Sequence, residues 1–373
     1  MSKVLHVIAF DIPYPPNYGG AIDVFYRISA LSEHGIKIIL HCFEYNRSKS
    51  DVLEKMCYKV FYYKRNTSII SHFSILPYTV ISRKNIELIS NLTKDNYPIM
   101  FEGVMSCYYL NNKLLANRFK IYREANIEHD YYFELFKAGN SIKNKIYYLI
   151  ESVKFRFYEK ELKNSNLILA ISKKDQIYYS SKFPSLNVDF IPCFHSNKAV
   201  TISCNQSDFI LYHGNLSVPE NEKSARYLCE NVFSKLPYRC IVAGMNPTLL
   251  LQNTCDKFSN IELISNPDNE KLSQFVQNAQ VHILITFQST GLKIKLLNTL
   301  FEGRHIIVND KMLVGSGLDS LCHIANTPSE QIELCENLMH LPFNFEDIQK
   351  RNTLLIPDFS NEFLAEKISG YLN

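Results

Sequence analysis

The sequence predicts an α/β protein made of two open parallel-sheet domains with helices on both faces. Three observations carry this. Short apolar, β-rich runs alternate with amphipathic helical patterns, the signature of strand–helix–strand units. The chain has 373 residues, too many for one core and suited to two domains of about 150–200 residues each. Between these halves the pattern lapses over 192–207 into Pro, Cys, Ser and Asn, a linker composition.

The elements follow in order. From Lys3, VLHVIAF reads as a buried strand, 13–20 as a loop, 21–34 as an amphipathic helix and 36–43 as a second strand. The region 98–129 repeats the theme, and 167–172 is another apolar strand feeding a helix. A fresh strand–loop unit opens at Phe209, and 239–243, 261–264, 281–287 and 305–308 supply further strands. The expected boundaries are a first domain over 1–195, a linker over 196–207, and a second domain over 208–350. A helical tail over 351–373 is expected to pack back toward the first domain. No repeat at solenoid period occurs, so the halves match in architecture and not in sequence.

Composition excludes several classes. Hydrophobic content of 46% and charged content of 21% describe a globular chain and not a disordered one. A net charge of +3 with pI near 8.2 lacks the basic clustering of a nucleic-acid binder, so no nucleic-acid partner is expected. The ten cysteines are scattered without C-x-x-C or zinc spacing. The N-terminus shows no secretory pattern, so reduced thiols in a cytoplasm are the expectation.

The most informative segment is 281–303, VHILITFQSTGLKIKLLNTLFEG. An apolar run meets a short polar turn, and a helical pattern follows with Leu292, Leu296, Leu297, Leu300 and Phe301 on one face. Ser289 or Thr290 can cap that helix. Lys293 and Lys295 fall in its first turn, where positive charge opposes the helix dipole. An anion docked at the helix N-terminus would reconcile them, since free N–H groups and lysines would share one negative ligand; an ordinary strand and helix with solvated lysines is the plainer alternative. Glycine-bearing loops end strands in both halves: Asn17-Tyr18-Gly19-Gly20, His213-Gly214-Asn215, and Ala243-Gly244. In parallel sheets ligands sit beyond the carboxyl ends of strands, where such loops lie. There is no P-loop, no H-E-x-x-H, no Asp-x-Asp pair and no nucleophile elbow. No metal and no cofactor are therefore expected, and a phosphate leaving group would rest on helix ends and on Lys or Arg.

These residues carry a resemblance across nearly the whole chain to the GT-B fold glycosyltransferases of the family-4 type (the glycosyltransferase group 1 superfamily). The proline-rich loop with Gly19-Gly20 looks like their first-strand loop. Ala170-Ile171-Ser172-Lys173-Lys174-Asp175 resembles their segment near the end of the first domain. His213-Gly214-Asn215-Leu216 with Glu220-Asn221 resembles their second-domain opening, and Gly291 to Asn298 with Gly303 their donor-binding strand–helix unit. The resemblance implies two Rossmann-like domains facing each other across a cleft. It also implies transfer of a sugar from a nucleotide-diphospho-sugar, bound mostly by the second domain, to an acceptor held by the first.

Carried over residue by residue, Thr290, Gly291, Lys293 and Lys295 would hold the donor diphosphate, with Asn298 on a ribose or sugar hydroxyl. Ser265 and Asn266 would face the base, and His213, Gly214, Asn215 and Gly244 would complete the donor site. Asn17, Tyr18, Gly19 and Gly20 would form the acceptor and phosphate loop. Arg123, Glu124, Asn126 and Glu128 look like the R-x-H-N-x-E stretch of some relatives and would carry the catalytic groups, or else form a surface loop before a helix. The chain departs from the pattern where Thr290 and Asn298 stand in place of two glutamates eight positions apart, and where Ala125 and Met105 stand in place of histidines.

The segment 137–163 mixes lysines and Arg156 with Tyr147, Tyr148, Phe155, Phe157 and Tyr158. Two readings stay open: a basic, aromatic helix lying on an anionic membrane surface, or a core-facing aromatic stripe with snorkelling lysines. The functional expectation is a metal-independent, retaining glycosyltransferase of bacterial-type surface polysaccharide synthesis. It would act on a glycan or lipid-linked acceptor in the cytoplasm or at the inner face of the plasma membrane. The alternatives are a nucleotide-sugar 2-epimerase of the same fold and a non-catalytic sugar-nucleotide-binding scaffold.

Overall fold

The computed structural model describes residues 3–138, 141–288 and 294–372. The chain divides into two compact units, Met1–Phe194 with Asn361–Asn373, and His195–Ser360. The first contains β1 (Val4–Ile8), β2 (Lys37–Glu44), β3 (Lys59–Lys64), β4 (Ile99–Glu102), β5 (Lys120–Arg123), β6 (Leu167–Ala170) and β7 (Asn187–Phe190). The second contains β8 (Phe209–Asn215), β9 (Arg239–Met245), β10 (Ile261–Ser265), β11 (Val281–Leu284), β12 (His305–Val308) and β13 (His323–Ile324).

All strand pairs in the first sheet are parallel, in the order β3-β2-β1-β4-β5-β6-β7. Parallel strands need crossovers, and helices on both faces bury them, which is why β6 (LILA) reads as an unbroken apolar run. Two cores result. One gathers Leu5, Val7, Val24, Ile28, Ile38 and Leu40 beneath the helix Gly19–Glu33; the other gathers Ile8, Phe101, Tyr122, Phe155 and Tyr179 on the opposite face. The helix Asn361–Gly370 completes the first of these with Leu364, Ala365 and Ile368. Lys367 fixes it to Asp189 at 2.8 Å. This return begins later than residue 351, because the helix Phe345–Phe359 stays with the second unit. There Arg351 donates to the carbonyls of Leu300 and Arg304, each at 3.0 Å.

The second sheet is also wholly parallel, in the order β10-β9-β8-β11-β12-β13. Gly244 is dictated by packing inside it. A Cβ there would fall 1.8 Å from the Gly214 carbonyl oxygen, and the two glycines are register partners.

At the carboxyl ends of β4 and β5 the first unit buries four charges. Arg27 is fully enclosed and donates to Asp23 at 2.7 Å and to both oxygens of Glu102. Arg123, equally enclosed, reaches Asp23 at 3.3 Å and the carbonyls of Ile191 and Pro192. Asp23 also accepts the Phe194 N–H at 2.8 Å. Burial pushes the Asp23 carboxyl up, but Arg123 and Arg27 outweigh it and hold it below its usual range. Glu102 stays above its ordinary value, because its burial outweighs Arg27. Removing one partner strands a buried charge. Arg27→Met should therefore cost about 3 kcal/mol or more in urea unfolding. The double variant Arg27→Met, Glu102→Leu should recover part of that loss; a double-variant loss equal to the sum of the two single losses would show that the pair is not coupled.

Candidate functional site

The order of the second sheet reverses between β8 and β11, and open parallel sheets bind ligands beyond the strand ends at such a reversal. Two loops leave the sheet here. Glu220, in the first turn of the helix Pro219–Asn231, ties them together. Its carboxylate accepts from the Thr286 hydroxyl at 2.7 Å, the Phe287 N–H, and the Gln288 N–H at 3.1 Å. Three donors converging on one carboxylate fix the loop after β11 by charge-assisted bonds. Asn221 donates to the Asn215 carbonyl at 2.9 Å and accepts from the Lys295 ammonium at 3.0 Å. That ammonium also lies 5.0 Å from the centroid of the Tyr212 ring.

Lys295 sits in the first turn of the helix Ile294–Glu302, which has no acidic residue in that turn. Its apolar face, Leu296, Leu297, Leu300 and Phe301, is buried as the 3.6-residue period requires. Thr299 donates to the Lys295 carbonyl at 2.7 Å, so its oxygen accepts from His213 Nε2 at 2.8 Å. Burial and then Lys295 push the His213 imidazole down to about 3. It is neutral, with the proton on Nε2 and Nδ1 left as an acceptor.

The other donor-side residues fall on nearby strand ends. Asn215 and Ser265 close β8 and β10. Asn266 adopts the left-handed conformation at φ 52° and its Oδ1 accepts the Asn246 N–H at 2.6 Å. Asn298 faces Asn197, whose amide lies 3.4 Å from its Oδ1. Thr290, Gly291 and Lys293 lie outside the described residues.

In the first unit the loop 11–18 is tied down by a bond of its own and by Arg47. The Tyr18 hydroxyl donates to Asp11 at 3.0 Å, and Arg47 donates to Asn17 at 3.0 Å and to the Pro15 carbonyl. Gly19 begins the helix Gly19–Glu33, whose N-cap residue Tyr18 gives no side-chain cap and whose first turn has no acid. Gly20 lets the Phe10 ring pass, since a Cβ would stand 2.7 Å from Phe10 Cζ.

The four candidate residues at the end of β5 and beyond it divide sharply. Arg123 is consumed by the buried charge cluster. Glu124 is buried, and one oxygen accepts the Ile171 N–H at 3.0 Å. It therefore fastens the Ala170–Asp175 segment, where Ser172 caps the next helix through the Asp175 N–H at 3.0 Å. Its other oxygen has no protein partner. Burial first, and the charge of Asp175 next, raise Glu124 far above an ordinary glutamate. Glu128 opens the helix Glu128–Ala138 and borders a small cavity with His129, Glu159, Tyr122 and Tyr179. Its Oε1 has no protein partner, and burial pushes its carboxyl up to about 7 against the opposing pull of Asn126 and Arg83. Asn126 itself is half-buried.

Sequence reasoning missed Asp23, Arg27 and Glu102, although Asp23 and Arg27 stand at the i,i+4 spacing of a helical ion pair. It quoted Glu220 only as part of a motif. Its bonding to a loop 66 to 68 residues downstream leaves no local signal.

No family model matches the chain. An uncharacterized 44.6 kDa protein in the cps region of Klebsiella pneumoniae is 28% identical over 325 residues, covering 81% of this chain and 82% of that protein. Among solved structures, sucrose-phosphate synthase from Thermosynechococcus elongatus superposes with a TM-score of 0.71 at 13% identity, covering 99% of this chain and 98% of the other. TarM gives 0.69 at 11% identity over 100% and 99%. Anabaena HepE in complex with UDP and glucose gives 0.67 at 9% over the same shares. Two all-parallel sheets of seven and six strands, matched over essentially the full chain, give this protein the GT-B fold of the glycosyltransferases.

Proposed function

We propose that the protein is a glycosyltransferase that moves a sugar from a nucleotide-diphospho-sugar to a glycan or lipid-linked acceptor in surface polysaccharide synthesis. It would do so without a metal, in the cytoplasm or at the inner face of the membrane. The observation that carries the reading is Lys295 at the switch point of the second sheet. It is a cation in the first turn of a helix that places no acid in that turn, at the edge where a parallel sheet receives ligands. Helix N–H groups and Lys295, joined by Lys293, would neutralise the leaving diphosphate. Thr290 and Gly291 would add backbone donors, and Asn298, His213 and Asn215 would contact the sugar and ribose. The cps-region relative and the UDP-and-glucose complex of a structural neighbour support the same substrate class.

Among the residues at and beyond the end of β5, Arg123 and Glu124 serve as positioning groups in this reading. Glu128 has the ionisation suited to proton transfer near neutrality. The 2-epimerase and scaffold alternatives differ in what leaves the site, so product identity separates them.

Calorimetry with UDP, GDP and their sugars tests the reading directly, and binding of none of them would sink it. Lys295→Ala should weaken nucleoside-diphosphate affinity by about tenfold or more while shifting the thermal transition little. A large loss of stability with unchanged affinity would make the lysine structural. Glu128 supplies a pH test. Its folded value of about 7 lies above the unfolded 4.5, so the folded state binds more protons between those values. Stability is then lost as pH rises through that window, to a penalty of about 3 kcal/mol above it. Glu128→Gln should remove that slope and be the more stable protein above pH 7; identical pH profiles would show the carboxyl to be unperturbed.

A further inference from the structure

The helix Ile142–Tyr158 carries its tyrosines and Phe155 inward and its aliphatic residues, with Phe157, outward. Phe155 and Tyr158 are buried, and Glu151 is buried in an ion pair with Lys154 at 3.0 Å. Ile142, Ile146, Leu149, Ile150, Val153 and Phe157 are all exposed, from 40% for Leu149 to 78% for Ile142. At 3.6 residues per turn these six fall within an arc of roughly 100°. Lys143 and Lys154 border one edge of the arc, and Lys145 and Arg156 border the other. The outward face holds no carboxylate.

A second element extends the patch. The short helical turn Ile69–Phe73 is fastened to this helix through its His72 carbonyl, which accepts from Lys154 Nζ at 3.1 Å. The His72 ring stacks on Tyr78 at 3.8 Å, and the Tyr78 N–H donates to Glu151 at 2.7 Å. While His72 is held, Ile69, Ile70, Phe73 and Ile75 stand out into solvent, the last two at 85% and 93% exposure. Exposed apolar side chains are ordinary when scattered. Ten on two fastened elements, rimmed by cations, are an interaction surface.

We propose that this face docks on an anionic lipid bilayer, with the aliphatic side chains entering the acyl boundary and Lys143, Lys145 and Arg156 meeting the headgroups. Charge complementarity selects this occupant. An apolar stripe with cations on both edges and no acid between them matches the layered chemistry of an anionic membrane surface. Among the described residues no helix is long and apolar enough to cross a membrane, so the attachment is peripheral. Tyr147, Tyr148, Phe155 and Tyr158 take no part in it, because they face the protein. The inference rests on exposure and charge alone and does not require the transferase reading.

The test is co-sedimentation of the full chain with phosphatidylcholine vesicles, with and without phosphatidylglycerol. Binding should need the anionic lipid and weaken in high salt. The double variant Ile146→Asp, Ile150→Asp should lower it about tenfold or more with an unchanged thermal transition. Phe73→Ser with Ile75→Ser should do the same from the second element. Lys143→Gln, Lys145→Gln and Arg156→Gln together should abolish the preference for anionic vesicles, each cation being worth about fivefold. Absence of vesicle binding would overturn the proposal, as would binding indifferent to these substitutions. A dimer in sedimentation that Ile150→Asp dissolves, without vesicle binding, would assign the face to a second copy instead. Loss of nucleotide affinity alone would count against the transferase and leave the vesicle result standing.

Discussion

Enclosing a guanidinium such as Arg27 is costly unless its charge and its donors are matched, and Asp23 with Glu102 meets both demands. The carboxylates stand on different elements, one on the helix after β1 and one at the end of β4. Satisfying Arg27 therefore fixes the gap at which the first sheet reverses its order. Arg123 extends the cluster to β5 and to the Ile191 and Pro192 carbonyls. The chain entering and leaving β1, β4 and β5 is thus held by charge pairs that packing alone could not register, because apolar contacts tolerate sliding and hydrogen bonds do not.

The second unit meets the corresponding demand with one carboxylate. Glu220 gathers the Thr286 hydroxyl and two backbone N–H groups, so the loop after β11 is shaped by the helix after β8. Lys295 is then positioned from Asn221, the next residue on that helix. Lys295, residues 286–288 and neutral His213 are held by bonds among the second unit's own residues, which under the proposed function would lower the ordering cost of binding.

Much of the fold was legible because buried parallel strands are mostly apolar, as in β6 (LILA) and β11 (VHIL). Three of the four strands at the sheet margins were not. β3 is KVFYYK with exposed lysines at both ends, β7 is NVDF, and β13 has two residues; half-exposed edges do not need the apolar run that marks a central strand. β11 ends at Leu284 and not at 287, since Glu220 takes the N–H groups that a longer strand would have offered. Of the two readings left open for the aromatic helix, the core-facing one describes most of its rings. Its tyrosines and Phe155 pack inward, and a face of isoleucines, Leu149 and Val153 is left in solvent.

By itself the sequence determined what is periodic or local: two parallel α/β units, the apolar stripe of the helix bearing Lys295, the glycine loops, and the absence of the usual metal and P-loop motifs. Tertiary structure alone decided which polar groups meet. The Asp23, Arg27, Glu102 and Arg123 cluster joins residues up to 100 positions apart. The sharing of Arg123, Glu124 and Glu128 among an ion cluster, a loop clamp and a cavity depends on burial, which no spacing encodes. The same holds for the surface made by Ile142–Tyr158 and Ile69–Phe73. Periodicity reveals that a face is apolar, and only the packed neighbours reveal whether that face is covered.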